Sequence, residues 1–170
     1  MNNEERNRQV RNKILDALLE MLKDTDIDDI SVSDLVKKAD VGRASFYRSY
    51  TDPKDVLVQE ADRLIEEWEE QLPSDMELSS NEVLCNLLNF CRRHRSFYTA
   101  LYQAGLDEIF MRRIVGSFPV DPNTPNPAAY RQSSLAYMIY GWIHEWILRG
   151  MQETGEELVN MIEQPQNKRH

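Results

Sequence analysis

One stretch of the sequence decides the fold: Ile30-Ser-Val-Ser-Asp-Leu-Val-Lys-Lys-Ala-Asp-Val-Gly-Arg-Ala-Ser-Phe-Tyr-Arg-Ser-Tyr50. It contains two short segments whose apolar residues recur at helical spacing, and only Asp40-Val41-Gly42 separates them. Ser31 stands before the first segment and Asp34 follows three residues later, which is typical of a helix N-terminus. Two short helices joined by about three residues form a helix-turn-helix, so the sequence predicts that motif here.

The side chains of this motif fall into a packing set and an outer set. The apolar positions, which can pack the two helices onto the preceding one, are Leu35, Val36, Ala39, Val41, Phe46 and Tyr50. The remaining positions carry hydroxyl and cationic groups, at Ser31, Ser33, Lys37, Lys38, Arg43, Ser45, Tyr47 and Arg48. Such groups bind phosphate oxygens and base edges in protein–DNA complexes. The pattern predicts a DNA-binding surface, the alternative being a merely solvated helix face.

The charge of the chain restricts the kind of nucleic-acid binding. Its 170 residues include 29 acidic and 20 basic side chains, a formal net charge of −9. A general polyanion binder, or a protein with broad affinity for anionic membranes, would be basic. Residues 37–54, however, carry five basic side chains against two acidic ones. We therefore expect a local cationic patch on the predicted recognition element of an acidic protein.

Other features favour a cytoplasmic protein without a membrane segment. The N-terminus has no signal pattern, and the longest nearly uninterrupted apolar run, Leu135 to Ile143, is far shorter than the ~20 residues of a membrane span. On one helix, Cys85 and Cys91 would lie too far apart for a disulfide. Cys91 and His94 lack a second pair at metal-ligand spacing, and no catalytic motif occurs. We expect no metal, no cofactor and no enzymatic activity.

The distribution of proline predicts an all-α chain. Proline is absent from residues 1–52, 74–118 and 128–164, where apolar residues recur at helical spacing. No run of alternating β-branched residues flanked by hairpin turns occurs. The predicted helices therefore account for the whole fold class.

The stretch from Ala39 to Tyr50, preceded by Ile30-Ser-Val-Ser-Asp-Leu, resembles the DNA-binding domain of TetR-type (TetR/AcrR family) transcriptional regulators. This resemblance covers about residues 8–65. The helix from Tyr137 to Gly150, which ends in Trp-Ile-Leu-Arg-Gly, is similar to the C-terminal region of one branch of that family. The resemblance implies a sequence-specific DNA-binding regulator.

The resemblance also implies two domains and a set of DNA contacts. Residues 1–52 would form the helix-turn-helix domain and residues 53–170 a helical ligand-binding and dimerisation domain, with the helix 53–71 connecting them. The implied DNA-binding residues are Ser31, Ser33, Arg43, Ala44, Ser45, Tyr47, Arg48 and Lys54. Those at 43–45 would face base edges in the major groove, and Tyr47 and one of the two serines would donate to phosphates. Arg48 would serve either DNA or an intramolecular carboxylate.

Two positions depart from the family pattern. Asp40 stands where the family usually has glycine in a left-handed turn, a conformation that aspartate tolerates better than most residues. Pro53 inserts one residue ahead of Lys54, which puts the phosphate contact of that lysine in question.

The helix from Ala128 to Arg149 is apolar on nearly every side, and a domain core can cover only part of it. A subunit interface is therefore expected, the alternative being a merely buried helix. The resemblance implies a homodimer through the last two helices, with recognition helices about 34–36 Å apart on a palindromic double-stranded DNA operator. The predicted interface residues are Tyr140, Gly141, Ile143, Ile147 and Leu158.

Polar-tipped side chains in the second domain are candidates for an effector pocket that the resemblance implies. They are Cys91, His94, Tyr98, Tyr102 and Tyr137. The leading interpretation is a repressor that a small-molecule effector releases. The alternative is a regulator-like module that answers to a partner protein. An apolar cavity would favour the small molecule, and a filled core with an exposed apolar patch would favour the partner protein.

Overall fold

A computed structural model of the chain describes residues 3–72, 79–116 and 120–163. The described residues form nine α-helices and one turn of 3-10 helix, with no β-strand, which confirms the all-α class. The helices are α1 (Asn3–Met21), α2 (Val32–Lys38), α3 (Arg43–Tyr47), α4 (Pro53–Gln71), α5 (Ser80–Arg93), α6 (Arg95–Gln103), α7 (Asp107–Gly116), α8 (Asn126–Leu148) and α9 (Gly155–Glu163). The 3-10 turn, Ile27–Asp29, lies between α1 and α2 and was not predicted.

Side-chain caps set the starts of the helices around the motif, as the sequence predicts. The Ser31 hydroxyl accepts a hydrogen bond from the Asp34 backbone N–H at 3.1 Å, which starts α2. The Asp52 carboxylate accepts one from the Asp55 N–H at 2.9 Å, and Pro53 occupies the first position of α4. Each cap satisfies a backbone donor that has no partner inside its helix.

The described residues divide into two units, of which the first comprises Met1–Leu64 and Ala100–Asp107. In this unit α2 packs against α1 and α3. Its fully buried side chains include Leu18, Leu35 and Phe46, each with 0% of its surface exposed. Burying one such side chain contributes about 1.5–3 kcal/mol, so these contacts hold the short helices in place. A seven-residue and a five-residue helix would not be stable alone.

The second unit comprises Ile65–Thr99 and Glu108–His170 and is built around the packing of α9 on α5. The two helices approach so closely at Gly155 that a Cβ there would lie 2.6 Å from the Cys85 carbonyl oxygen. The Gly155 N–H donates to the Asn89 side chain at 3.0 Å, and Asn89 in turn donates to Glu156 at 2.9 Å. Asn89 thus ties the start of α9 to α5.

The long helix α8 ends at a glycine, Gly150. Gly150 has φ of 84°, in the left-handed region that glycine adopts without steric cost. Its N–H donates to the Ile147 carbonyl at 2.9 Å, and the Met151 N–H donates to the Trp146 carbonyl at 2.9 Å. This pair of bonds is a Schellman motif and satisfies carbonyls at the end of α8.

Candidate nucleic-acid interface

The turn of the motif depends on a left-handed residue, as expected. Asp40 has φ of 53°, and its N–H donates to the Lys37 carbonyl at 3.3 Å. The Val41 N–H donates to the Val36 carbonyl at 3.0 Å, which completes a Schellman motif at the end of α2. The chain therefore turns sharply before Gly42 and presents α3 at a fixed angle to α2.

Helix α3 turns one aromatic side chain inward and its polar side chains outward. Phe46 is fully buried, whereas Tyr47 keeps 58% of its surface exposed. Arg43 and Ala44, at the start of the helix, are also exposed. Arg43 and Ala44 are thus accessible, Ser45 is half-buried, and Phe46 anchors the helix to the core.

Hydrogen bonds connect the predicted DNA-binding residues to one another. The Arg43 guanidinium donates to the Ser33 hydroxyl, which joins α3 to α2. The Arg48 guanidinium donates to the Ser45 hydroxyl at 3.3 Å. A serine hydroxyl can accept one hydrogen bond and still donate its own proton. Ser33 and Ser45 therefore keep a donor available, and Arg48 has a hydroxyl rather than a carboxylate as its bonded partner.

The two serines of α2 differ in what they offer a phosphate. The Ser31 hydroxyl donates its single proton to the Asp34 carboxylate at 2.6 Å. A phosphate would have to compete with that carboxylate for the proton. Ser33 is exposed and accepts from Arg43, so of the two serines its geometry suits a phosphate better.

Lys54 lies in an ion pair inside the motif. Its Nζ is 2.5 Å from Asp28 Oδ1, in the unpredicted 3-10 turn. The hydrogen bond and the charge of Asp28 raise the pKa of Lys54, so the lysine stays protonated. A phosphate would compete with Asp28 for the Lys54 ammonium.

The structure adds cationic residues that the sequence analysis did not assign to this surface. One face of α1 lies beside α3 and the two enclose a cleft of about 310 Å³. Its lining residues are Arg6, Asn7, Val10, Arg11, Ser45, Arg48 and Ser49. In the sequence, the feature that could have indicated these α1 residues is the presence of four basic residues and no acidic one between positions 6 and 13.

Comparison with known families agrees with this geometry. Residues 14–61 match the model of a family described as bacterial regulatory proteins, tetR family. The matched segment runs from α1 into α4 and contains the complete helix-turn-helix. The chain carries a TetR-family DNA-binding domain. The family resemblance stated from the sequence is thereby confirmed.

Two solved structures share the fold of this chain along most of its length. Lin0861 from Listeria innocua superposes with a TM-score of 0.75 at 18% sequence identity, covering 97% of this chain and 93% of that chain. The fatty acid degradation regulator FadR from Bacillus halodurans gives a TM-score of 0.53 at 12% identity, covering 91% of each chain. At these identities the likeness shows the fold alone. No curated protein matches the sequence significantly.

The five residues predicted for the effector pocket lie in different environments. Cys91 and Tyr98 are buried and hydrogen-bonded to each other, and burial raises the pKa of the Cys91 thiol to about 12. The His94 ring lies 4.6 Å from that of Phe90. Tyr102 is buried in the first unit of the TetR-family chain, whereas 54% of Tyr137 is exposed on α8. The structure therefore brings together Cys91 and Tyr98 but leaves Tyr137 at the surface.

The predicted interface residues divide by burial. Ile143, Ile147 and Leu158 have only 1%, 2% and 6% of their surface exposed within the single chain. They belong to the core of their own unit and have almost no area left for a second chain. Gly141 is exposed and Tyr140 half-buried. The large exposed hydrophobic side chains of α8 are instead Tyr130, Leu135, Tyr137, Met138, Trp142 and Leu148.

A shallow groove of about 460 Å³ runs between α8 and α9. It is lined by Gly141, Trp142, Glu145, Trp146, Arg149, Glu153 and Leu158. Its floor is apolar, and an ion pair between Glu145 and Arg149 at 2.6 Å stands at its edge. Within the described ranges, no cluster of three potential metal ligands occurs. In those ranges no helix is both long and apolar enough to cross a bilayer.

Proposed function

We propose that this chain is a sequence-specific repressor that binds operator DNA as a homodimer and is released by a small-molecule effector. Its TetR-family domain makes it a DNA-binding transcriptional regulator. The observation that carries the finer proposal is the outer face of α3. On that face the exposed Arg43 donates a hydrogen bond to Ser33 of α2, and Ala44 and Tyr47 are exposed beside it. A regulator of this kind acts in the cytoplasm, where its operator lies.

The proposed contacts follow the chemistry of each side chain. Arg43 presents a guanidinium that can bind guanine O6 and N7 together, while Ala44 and Ser45 contact neighbouring base edges. Tyr47, Ser33 and Lys54 donate to phosphates, and these contacts set the register of the protein on the duplex without reading sequence. Arg48 binds the DNA backbone from the end of α3.

Dimerisation is proposed through the exposed face of α8, in the helical domain of residues 53–170. Leu148, with 60% of its surface exposed, and Met138, with 47%, lie on this face on either side of Gly141 around the helix. Glycine permits a second helix to approach closely. This face replaces Ile143, Ile147 and Leu158 as the area offered to the second chain. A two-fold dimer presents two recognition helices and so favours a palindromic operator.

The effector is proposed to be a small molecule with apolar surface. The groove between α8 and α9 offers two tryptophans and a charged edge, a combination that suits an amphipathic ligand. FadR, a neighbour in fold, is a regulator of fatty acid degradation, which supports a regulatory role for this architecture. Release follows when the effector prefers the conformer that binds operator poorly.

A partner protein is the second candidate for control. The exposed apolar side chains of α8 favour it, because such a patch on a soluble chain marks an interaction site. The two candidates differ in the oligomeric state of the free protein. A dimer occupies the α8 face with a second copy and supports the small-molecule version, whereas a monomer leaves that face for another protein.

The deciding experiment is selection of duplexes from a random DNA pool by the wild-type protein and by Arg43→Ala. We expect the wild type to enrich a palindrome. The variant should lose about 1–3 kcal/mol of binding free energy at the base pair that Arg43 contacts, and should therefore accept other bases there. Arg112→Ala, which removes an exposed arginine from α7, serves as the control and should select the wild-type sequence. Identical selection by wild type and Arg43→Ala would refute this docking of α3.

A further inference from the structure

The cleft between α1 and α3 has the composition of an anion site. It collects three guanidinium groups, from Arg6, Arg11 and Arg48, and the hydroxyls of Ser45 and Ser49. None of its described lining residues is a carboxylate. Three cationic and two hydroxyl-bearing side chains that line one space of about 310 Å³ suit an anion with several acceptor oxygens.

The arginines of the cleft are held by neighbouring groups. The Arg11 guanidinium lies 6.0 Å from the centre of the Tyr50 ring, a cation–π distance. Arg48 donates to Ser45 at 3.3 Å. Because both contacts restrict the motion of a guanidinium group, less side-chain entropy is lost when an anion binds.

We propose that this cleft binds a phosphodiester of the DNA backbone, next to the bases that α3 reads. The inference rests on the proposed function and extends the DNA contact to α1, outside the helix-turn-helix. It commits to DNA rather than to a free anion because Ser45 belongs to the recognition helix and Arg48 is the C-cap of that helix. When α3 enters the major groove, the adjoining backbone phosphate lies beside those same residues. Arg6 and Arg11 then bind it from the opposite side.

The chain offers a matched pair of variants for testing this site. Arg6 lines the cleft, whereas Arg8 does not, and both arginines are exposed on α1. Two residues correspond to about 200° around a helix, so Arg8 faces away from the cleft. Arg6→Gln and Arg8→Gln remove the same charge from the same helix, and Arg6→Lys keeps the charge in the cleft.

The experiment measures the DNA affinity of these variants at several salt concentrations. It uses one duplex selected by the wild-type protein and one unrelated duplex of equal length. Each phosphate that a protein neutralises adds about 0.9 to the slope of log affinity against log salt concentration. We expect Arg6→Gln to lower that slope by about 0.9 on both duplexes. Arg8→Gln should leave it near the wild-type value, and Arg6→Lys should restore most of the loss.

The outcomes separate this site from the proposed function. Suppose that Arg6→Gln and Arg8→Gln give equal salt slopes while the sequence preference of the wild type still depends on Arg43. That result would overturn the cleft contact alone. Failure of the wild type to bind either duplex would overturn both proposals. Inorganic phosphate, titrated against the protein by nuclear magnetic resonance, tests the other source of the anion. Binding of phosphate that Arg6→Gln abolishes, together with unchanged DNA slopes, would assign the cleft to a free anion and overturn its assignment to DNA.

Discussion

Gly155 is the position where the structure predicts the largest effect of adding a single methyl group. A Cβ at this position would lie 2.6 Å from the Cys85 carbonyl oxygen and 3.1 Å from the Asn89 side-chain oxygen. The first neighbour is backbone inside α5 and cannot rotate away. Gly155→Ala therefore forces α9 outward and strains the hydrogen bond from the Gly155 N–H to Asn89, which is 3.0 Å long.

The expected cost follows from the two opposing effects. Overpacking of a well-packed contact costs about 1–3 kcal/mol. Against this, alanine is favoured over glycine in a helix by about 0.5–1 kcal/mol, although less at a terminal position. Overpacking wins, and we expect Gly155→Ala to lose about 1–2 kcal/mol of the free energy of unfolding. In a chain of this size that loss lowers the Tm by roughly 2–8 °C.

The assay is thermal unfolding followed by circular dichroism at one fixed protein concentration, because the stability of a dimer depends on concentration. Gly116→Ala is the control, since a Cβ there would meet nothing within 4 Å. It should leave the Tm unchanged or raise it slightly. A Gly155→Ala protein as stable as the wild type would show that α5 and α9 do not approach as closely as described here.

Two further predictions concern the second unit. Leu148→Glu places a charge on the exposed apolar face of α8 and removes a contact of about 1.5–3 kcal/mol from each half of a two-fold dimer, so light scattering should show a monomer. The control, Gln103→Glu, adds the same charge at an exposed position of α6 and should stay dimeric. A dimeric Leu148→Glu protein would contradict the proposed face. Because burial raises the pKa of Cys91 from 9.0 to about 12, the folded state requires the protonated thiol and should lose stability as the pH rises from about 9 towards about 12. At pH 8 a Cys85→Ala protein should therefore react with a thiol reagent only as fast as it unfolds, and a rapid reaction would show that Cys91 is accessible.

Features that depend on neighbouring residues were predictable from the sequence. The cap at Ser31, the left-handed turn at Asp40 and the stop at Gly150 each follow from side-chain chemistry within four residues of the position. The two short helices could therefore be placed on either side of Asp40-Val41-Gly42, where the structure has them. The outward-facing polar residues could be separated from the packing residues because Phe46 and Tyr50, the apolar positions, identify the inner face.

Features that depend on packing were not predictable. Helix α8 is apolar on nearly all sides, so its sequence does not indicate which side faces its own core; Ile143 and Ile147 proved to be the inner side. The α1 arginines lie about 40 residues from Arg48 in the sequence, and only the packing of α1 beside α3 brings them to one cleft. The polar-tipped residues of the second domain carry no local signal for a pocket, because hydroxyl and thiol groups such as those of Tyr98 and Cys91 can satisfy each other in a core.

The ion pair between Lys54 and Asp28 acts as an internal competitor for DNA. Asp28 is part of the same chain, so it presents a carboxylate to Lys54 at a fixed effective concentration, of millimolar order or above for closely tethered groups. A phosphate that passes at random through solution rarely reaches that concentration beside Lys54. A phosphate held in register by α3 does, because the base contacts confine it there. In the proposed complex, Lys54 would therefore change partner only after the recognition helix has docked, which would make it a check on correct docking more than a source of attraction to any duplex.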